Sequence, residues 1–252
     1  MNITSDINIL GGLSDFNLIN VFLNENLKSL NQKGKHHSFT IIKTDKSVKR
    51  FEKAITNTLL NFLNKNIGIL VRRVLTEESI TADSLLLLFW NASANNELLN
   101  YLNEKVYFPA FYTGRITIKQ DEVAACLKEL KQTETSIQNW SESTVEVTAS
   151  KYLTLLKKFN LMKGSANKTI THPYLSDKML IVFIYWLLAI GTKSNLLDSQ
   201  WLKYCFSEKK IFIERIMQKK LTKFINLNYS GNILKVEAVV SYEKLYDAIS
   251  QS

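Results

Sequence analysis

Few residues in this chain have the types and spacing of a catalytic centre. The histidines are His36, His37 and His172, and the cysteines are Cys126 and Cys205. His36 and His37 are adjacent in a loop with Lys33 and Lys35. Neighbouring side chains there point apart, which argues against a shared metal and for a solvated loop. His172 precedes Pro173 and reads as a loop residue. Cys126 and Cys205 form no C-x-x-C pattern and sit in apolar helical stretches, so they read as core rather than as a disulfide framework or zinc site. Glu77 and Glu78, like Asp121 and Glu122, fall at helix starts, where the helix dipole accounts for acidic side chains. No phosphate-cradling glycine loop, dinucleotide fingerprint or nucleophile elbow occurs. The expectation is a protein with no catalytic residues, no metal and no cofactor.

The chemistry that the residues do support is the binding of a polyanion. The 252 residues hold 32 Lys+Arg against 23 Asp+Glu, a net charge of +9. The charge is arranged in blocks: 11 basic and 2 acidic residues from Lys28 to Arg73, 5 and 11 from Glu77 to Glu146, then 14 and 4 from Lys151 to Lys223. Two basic blocks of this size point to nucleic acid rather than to ordinary solvated helix faces. In the first block, Lys49, Arg50 and Lys53 flank an apolar helical stripe, while Arg72 and Arg73 follow the apolar Ile69-Leu70-Val71. These five are expected to form one basic face with the loop lysines.

The elements that must position these residues are mostly helices. Two prolines and eight glycines are too few for the turns of an all-β fold. Apolar positions at helical spacing predict helices opening at Ser14 or Asp15, at Asp45 or Ser47 (Val48, Phe51, Ile55, Leu59, Phe62, Leu63), from Ile67 to Leu75 after a break at Gly68, at Thr81, and at Ser93 or Asn95. Residues 31–44 read as a loop. Val106 to Arg115, with Pro109 and Gly114, ends this array, so a helical bundle over 1–112 and a second domain over 113–252 are expected. Further helices are predicted over Ser176–Ile190, Asp198–Phe206, Glu208–Lys223 and Tyr242–Ile249, with a hairpin around Gly231. The apolar run Met179 to Ile190 is shorter than the roughly 20 residues that span a bilayer and reads as a core helix. With no signal-like N-terminus, the chain is expected to be cytoplasmic and free of membrane partners.

Residues 117–173 carry the most specific pattern. A helix over Thr117–Leu130 is followed by Trp140 and a long helix from Thr144 to about Phe159, with Val145, Ala149, Tyr152, Leu153, Leu156 and Phe159 on its inner side. Leu161-Met162 and Thr169-Ile170-Thr171 then flank a hairpin turn. Helix, turn, capped helix and hairpin are the order of a winged helix-turn-helix. A helix N-terminus can enter the major groove, and hairpin lysines can lie along phosphates. Ser143 or Thr144 is expected at the helix start. The polar face left for contacts holds Ser143, Thr144, Glu146, Thr148, Ser150 and Lys151, and the candidate contacts are Ser143, Thr144, Thr148, Lys151, Lys157, Lys158, Lys163 and Lys168. For Lys157 and Lys158 the helix dipole is an equally good explanation.

Trp140-Ser-Glu-Ser-Thr144, Ala149, Leu153 and Leu156-Lys-Lys-Phe-Asn-Leu161-Met-Lys-Gly164 resemble the winged-helix portion of the BrxA family of bacteriophage-exclusion (BREX) defence systems. Asn160 stands where the family has glycine, and it keeps a left-handed backbone accessible. Ile9-Leu-Gly11-Gly12-Leu13 resembles the family's Gly-Gly-Leu opening, and Ile69-Leu-Val-Arg72-Arg73-Val-Leu75 its first-domain helix. The resemblance implies a NusB-like N-terminal helical bundle, a winged-helix domain, no catalytic activity, double-stranded DNA binding, and action beside other phage-defence proteins. Two other functions are compatible with the same residues. The winged helix could dock a larger protein as an adaptor, or the basic NusB-like bundle could bind RNA. The oligomeric state is not encoded in any of these motifs.

Overall fold

A computed structural model describes residues 3–13, 45–75, 80–165, 168–191 and 195–251. The described chain is mainly helical, with two short antiparallel hairpins. In chain order the helices are α1 (Asp6–Gly12), α2 (Asp45–Ala54), α3 (Lys65–Val74), α4 (Ala82–Asn95), α5 (Glu97–Leu102), α6 (Phe108–Tyr112), α7 (Gln120–Thr133), α8 (Glu142–Lys158), α9 (Asp177–Ala189), α10 (Lys209–Ile216) and α11 (Tyr242–Ser250). Strands β1 (Met162–Lys163) and β2 (Thr169–Ile170) form the first hairpin, and β3 (Ile225–Ser230) and β4 (Ile233–Ala238) the second. The helix expected at Ser14 or Asp15 and the loop over 31–44, with His36 and His37, lie outside the described residues.

The chain separates into two compact units, one drawn from 1–61 and 77–172, the other from 62–76 and 173–252. The boundary expected near 112 falls within the first unit, where the Phe111 ring lies 5.1 Å from that of His172. Helix α3, expected in an N-terminal bundle, belongs to the second unit and packs on α9 and α11.

In the first unit α4 is buried along most of its length, from Ser84 to Ser93. Its Asn91 amide donates to the carbonyls of Leu59 (2.8 Å) and Asn61 (3.0 Å), where α2 has passed into a π-helical turn, Ile55–Leu59. That turn ends the helix expected to run on to Leu63, which is exposed. A second π-helical turn, Asn103–Tyr107, leads into α6, so Val106 to Arg115 is more helical than expected; Gly114 at φ 72° closes it. Helix α7 starts at Gln120 rather than Thr117, which instead bridges Thr169.

The second unit is built round α9, the apolar run, whose residues Met179 to Leu187 are all buried. Among the described residues no helix is long and apolar enough to cross a membrane. Helix α3 runs unbroken through Gly68, where the Phe62 ring stands 3.1 Å from the position a Cβ would take. Tyr185 of α9 ties the second hairpin down: its hydroxyl donates to the Phe224 carbonyl (2.7 Å) and accepts from the Val240 amide (3.0 Å). The stretch expected as a helix over 198–206 is two 3-10 turns ended by Phe206 at φ 55°. The helix expected over 208–223 stops at Ile216 and is followed by a 3-10 turn, Lys219–Leu221.

Candidate nucleic-acid interface

Helix α8 is the element on which the candidate residues converge. Ser141 is its N-cap, accepting from the Thr144 amide at 3.1 Å, so Ser143 and Thr144 occupy the first turn. Phe159 closes the helix, and Asn160 takes the left-handed conformation at φ 59°, supplying the exit geometry usually left to glycine. Trp140 is half-buried before the cap, its carbonyl accepting from Lys131 Nζ at 2.5 Å. After the exit, Met162 pairs with Ile170 and Lys163 with Thr169, and the Ile170 amide donates to the Ile116 carbonyl at 2.8 Å.

Two sets of contacts fix the roll of α8 in its unit. The Tyr152 hydroxyl donates to Asn103 Oδ1 (3.0 Å), and Asn103 Nδ2 donates to Ser93 Oγ (3.0 Å), a buried polar chain from α8 to α4. On a second side α1 lies against α8. The Asn8 amide donates to Thr148 Oγ1 at 3.0 Å, and Gly11 stands so near that a Cβ there would meet the Lys151 carbonyl oxygen at 2.5 Å. Gly11 is therefore a close-approach device that admits the backbone of α8, whereas a Gly12 Cβ would meet only Lys151 Nζ, at an ordinary 3.6 Å.

Thr148 is thereby removed from the candidate contacts. It is fully buried, and its hydroxyl donates to the Thr144 carbonyl while accepting from Asn8. Local periodicity left it on the polar side of α8, but α1 covers that position. The outward stripe is Ser143, Val147, Ser150, Thr154 and Lys157, spaced by four, three, four and three residues. Val147 is 47% exposed. Ser150 was already on the polar face read from the sequence; Val147 and Thr154 were missed, and stepping along the helix from Ser143 would have found them. Glu142 and Glu146 flank the first two turns but are drawn toward α7. Glu142 pairs with Lys128 at 2.7 Å, and Glu146 accepts from Gln120 at 3.0 Å.

At the other end of the stripe the lysines gather. Lys168, from the hairpin, donates to Thr154 Oγ1 at 3.3 Å and is thus folded onto the helix. Burial holds its ammonium below the ordinary lysine range, and the charges of Lys157 and Lys151 push in the same direction. Lys157 and Lys163 are exposed; Lys151, Lys158 and Lys168 are half-buried. None of the described carboxylates forms an ion pair with Lys151, Lys157, Lys163 or Lys168. The site is a file of small side chains ending in like charges held together.

The basic residues of the first block do not make one face within either unit. Lys49, Arg50 and Lys53 are exposed on α2 of the first unit. Arg72 and Arg73 are exposed on α3 of the second, where Arg72 lies over the Phe62 ring (5.4 Å) and Arg73 pairs with Asp247 (3.6 Å). The loop lysines expected beside them lie outside the described residues. Cys126 is half-buried and Cys205 buried, and burial pushes both thiols above the usual range, Cys205 to about 12. Neither has the thiolate character of a nucleophile.

Fold and site together define a mainly helical protein that presents a lysine-rimmed helix face. The model of the BrxA family matches residues 18–183, well over half of the chain, and the chain belongs to that family of BREX phage-defence components. Residues 184–252 lie outside the matched span. No curated protein and no solved structure is significantly similar to the chain.

Proposed function

We propose that the protein binds double-stranded DNA as a non-enzymatic, cytoplasmic component of its BREX system, with helix α8 as the groove-facing helix of a winged helix-turn-helix. In this reading α7 is the supporting helix, α8 the recognition helix and β1–β2 the wing. The observation that carries it is the Lys151–Lys157–Lys168 cluster. Lys168 is bonded through Thr154 to a stripe of small polar side chains, where burial first and then the charges of Lys157 and Lys151 hold its ammonium below the ordinary lysine range. Such an arrangement costs free energy in the free protein, and a phosphate backbone relieves it. Ser143, Ser150 and Thr154 are short enough to approach base edges, and the Val147 side chain suits a thymine methyl group. The other defence proteins would then meet the chain on surfaces away from α8.

Sequence preference is expected to be weak, because Lys dominates the rim and the stripe lacks Asn, Gln and Arg. Fluorescence anisotropy with a labelled duplex at about 50 and about 200 mM salt tests the proposal. Affinity should fall at least tenfold between them. Undetectable binding at low salt, or binding unchanged between the two, would reject it; α8 would then serve as a docking face for a protein partner.

A further inference from the structure

Charge is unequally shared between the units. The first carries 18 basic and 16 acidic residues over its span, the second 14 and 7. Most of the excess charge thus lies outside α8 and its hairpin. Within the second unit one place combines it with an unusual aromatic. Tyr174 is 77% exposed, more than any other large hydrophobic side chain described in the unit. One face of its ring is covered by Arg215, whose guanidinium carbon lies 4.7 Å from the ring centroid. Arg215 is itself fixed, donating to the Leu175 carbonyl at 2.6 Å and to Asp177 Oδ1 at 3.1 Å. Lys220 takes the other oxygen of Asp177, so the carboxylate is already shared by two cations. Lys219 and Lys223 on either side of it are exposed.

We infer that Tyr174 is a stacking platform for an unpaired base, and that Lys219, Lys220 and Lys223 hold the adjoining phosphates: a single-stranded nucleic-acid site on the second unit. Every base offers a flat face to an exposed phenol ring, and a ring backed by a guanidinium is held in one orientation, so little freedom is lost on stacking. The other side of the ring is open. Lys220, joined through Asp177 to the guanidinium that backs the ring, and its exposed chain neighbours Lys219 and Lys223 supply the charge that tracks a sugar-phosphate chain. A duplex has no unpaired base to offer, so this site and the α8 face select different forms of nucleic acid. The site does not depend on the α8 proposal.

The experiment uses the full chain and two fluorescent homopolymers of about 12 nucleotides, oligo(dT) and oligo(U), beside a duplex. Tyr174→Ala should weaken binding of at least one single strand about tenfold, and Tyr174→Trp should restore it. Lys219→Glu with Lys223→Glu should lower the salt slope for the strand by about 1.4. Duplex affinity should not change in Tyr174→Ala, which separates failure here from failure of the α8 proposal. Tyr174 is exposed, so its removal should leave the melting temperature as in the parent. Unchanged strand binding in Tyr174→Ala overturns the inference. So does Tyr174-dependent binding to anionic phosphatidylserine vesicles without strand binding, which would assign the patch to a membrane surface.

Discussion

At the residue scale, Gly11 and Gly12 separate sharply in what they do. A methyl group on Gly11 would be driven into the Lys151 carbonyl, which belongs to the backbone of α8 and cannot swing aside. Gly11→Ala should therefore destabilise the protein by about 1–3 kcal/mol, as overpacking does in a well-fitted interface. Gly12→Ala meets only the flexible end of Lys151 at ordinary contact distance and should be nearly neutral. Chemical denaturation of the two variants side by side checks this, and equal effects would contradict the close-approach role. Lys168 makes a different prediction. Its folded ammonium is held below the ordinary lysine range, so between the folded and unfolded values the unfolded chain binds more protons. Stability then rises with pH through that alkaline window. Lys168→Gln should remove this rise and raise the melting temperature at neutral pH while weakening duplex binding, a trade expected of a residue kept for its ligand.

At the scale of elements, α8 is held in position by the Tyr152–Asn103–Ser93 chain. Asn103→Ala leaves the buried Tyr152 hydroxyl and Ser93 without this shared partner and should cost about 1–3 kcal/mol. Tyr152→Phe removes one bond only and should cost about 1 kcal/mol; a thermal unfolding series orders the two. In the second unit, Asp177 at the start of α9 is held below the usual carboxylate range, chiefly by Lys220 and then by Arg215, with burial opposing. Its contribution is present above the unfolded pKa and is lost as pH falls through the folded one. Asp177→Asn should lower stability at neutral pH by about 1 kcal/mol, discounted because the carboxylate is about a third exposed. It should also flatten the acid limb below the ordinary carboxylate pKa. Much of this local architecture was legible in the sequence: the long helix ending at Phe159 and the buried run of α9 follow from period, and the hairpin after Asn160 from its turn residues, while the cap is Ser141, earlier than the expected start at Ser143 or Thr144. The π-helical turns were not, because Ile55–Leu59 and Asn103–Tyr107 keep helical composition and shift only the hydrogen-bond register.

At the scale of the whole molecule, what the sequence hid was long-range. Helix α3 has the composition of an N-terminal bundle helix, yet its apolar face, Ile67, Leu70, Val71 and Val74, belongs to the second unit with α9 and α11. Thr148 looked outward on the local helical wheel, and only the return of α1 from 140 residues away buries it. The candidate site was legible in outline through Ser143, Lys157, Lys163 and Lys168. Ser150 was legible on the polar face, but Val147 and Thr154 carry no charge and so gave no signal to a search for basic residues. The central claim is that duplex DNA lies on the α8 face, and charge reversal there tests it most directly. In the triple variant Lys157→Glu, Lys163→Glu and Lys168→Glu, every phosphate that is no longer neutralised should reduce the salt slope of duplex binding by about one. The account predicts a slope smaller by about two to three and no detectable binding at about 150 mM salt, with helical circular dichroism as in the parent and a melting temperature no lower. A triple variant that binds duplex with the parent's affinity and slope would contradict it.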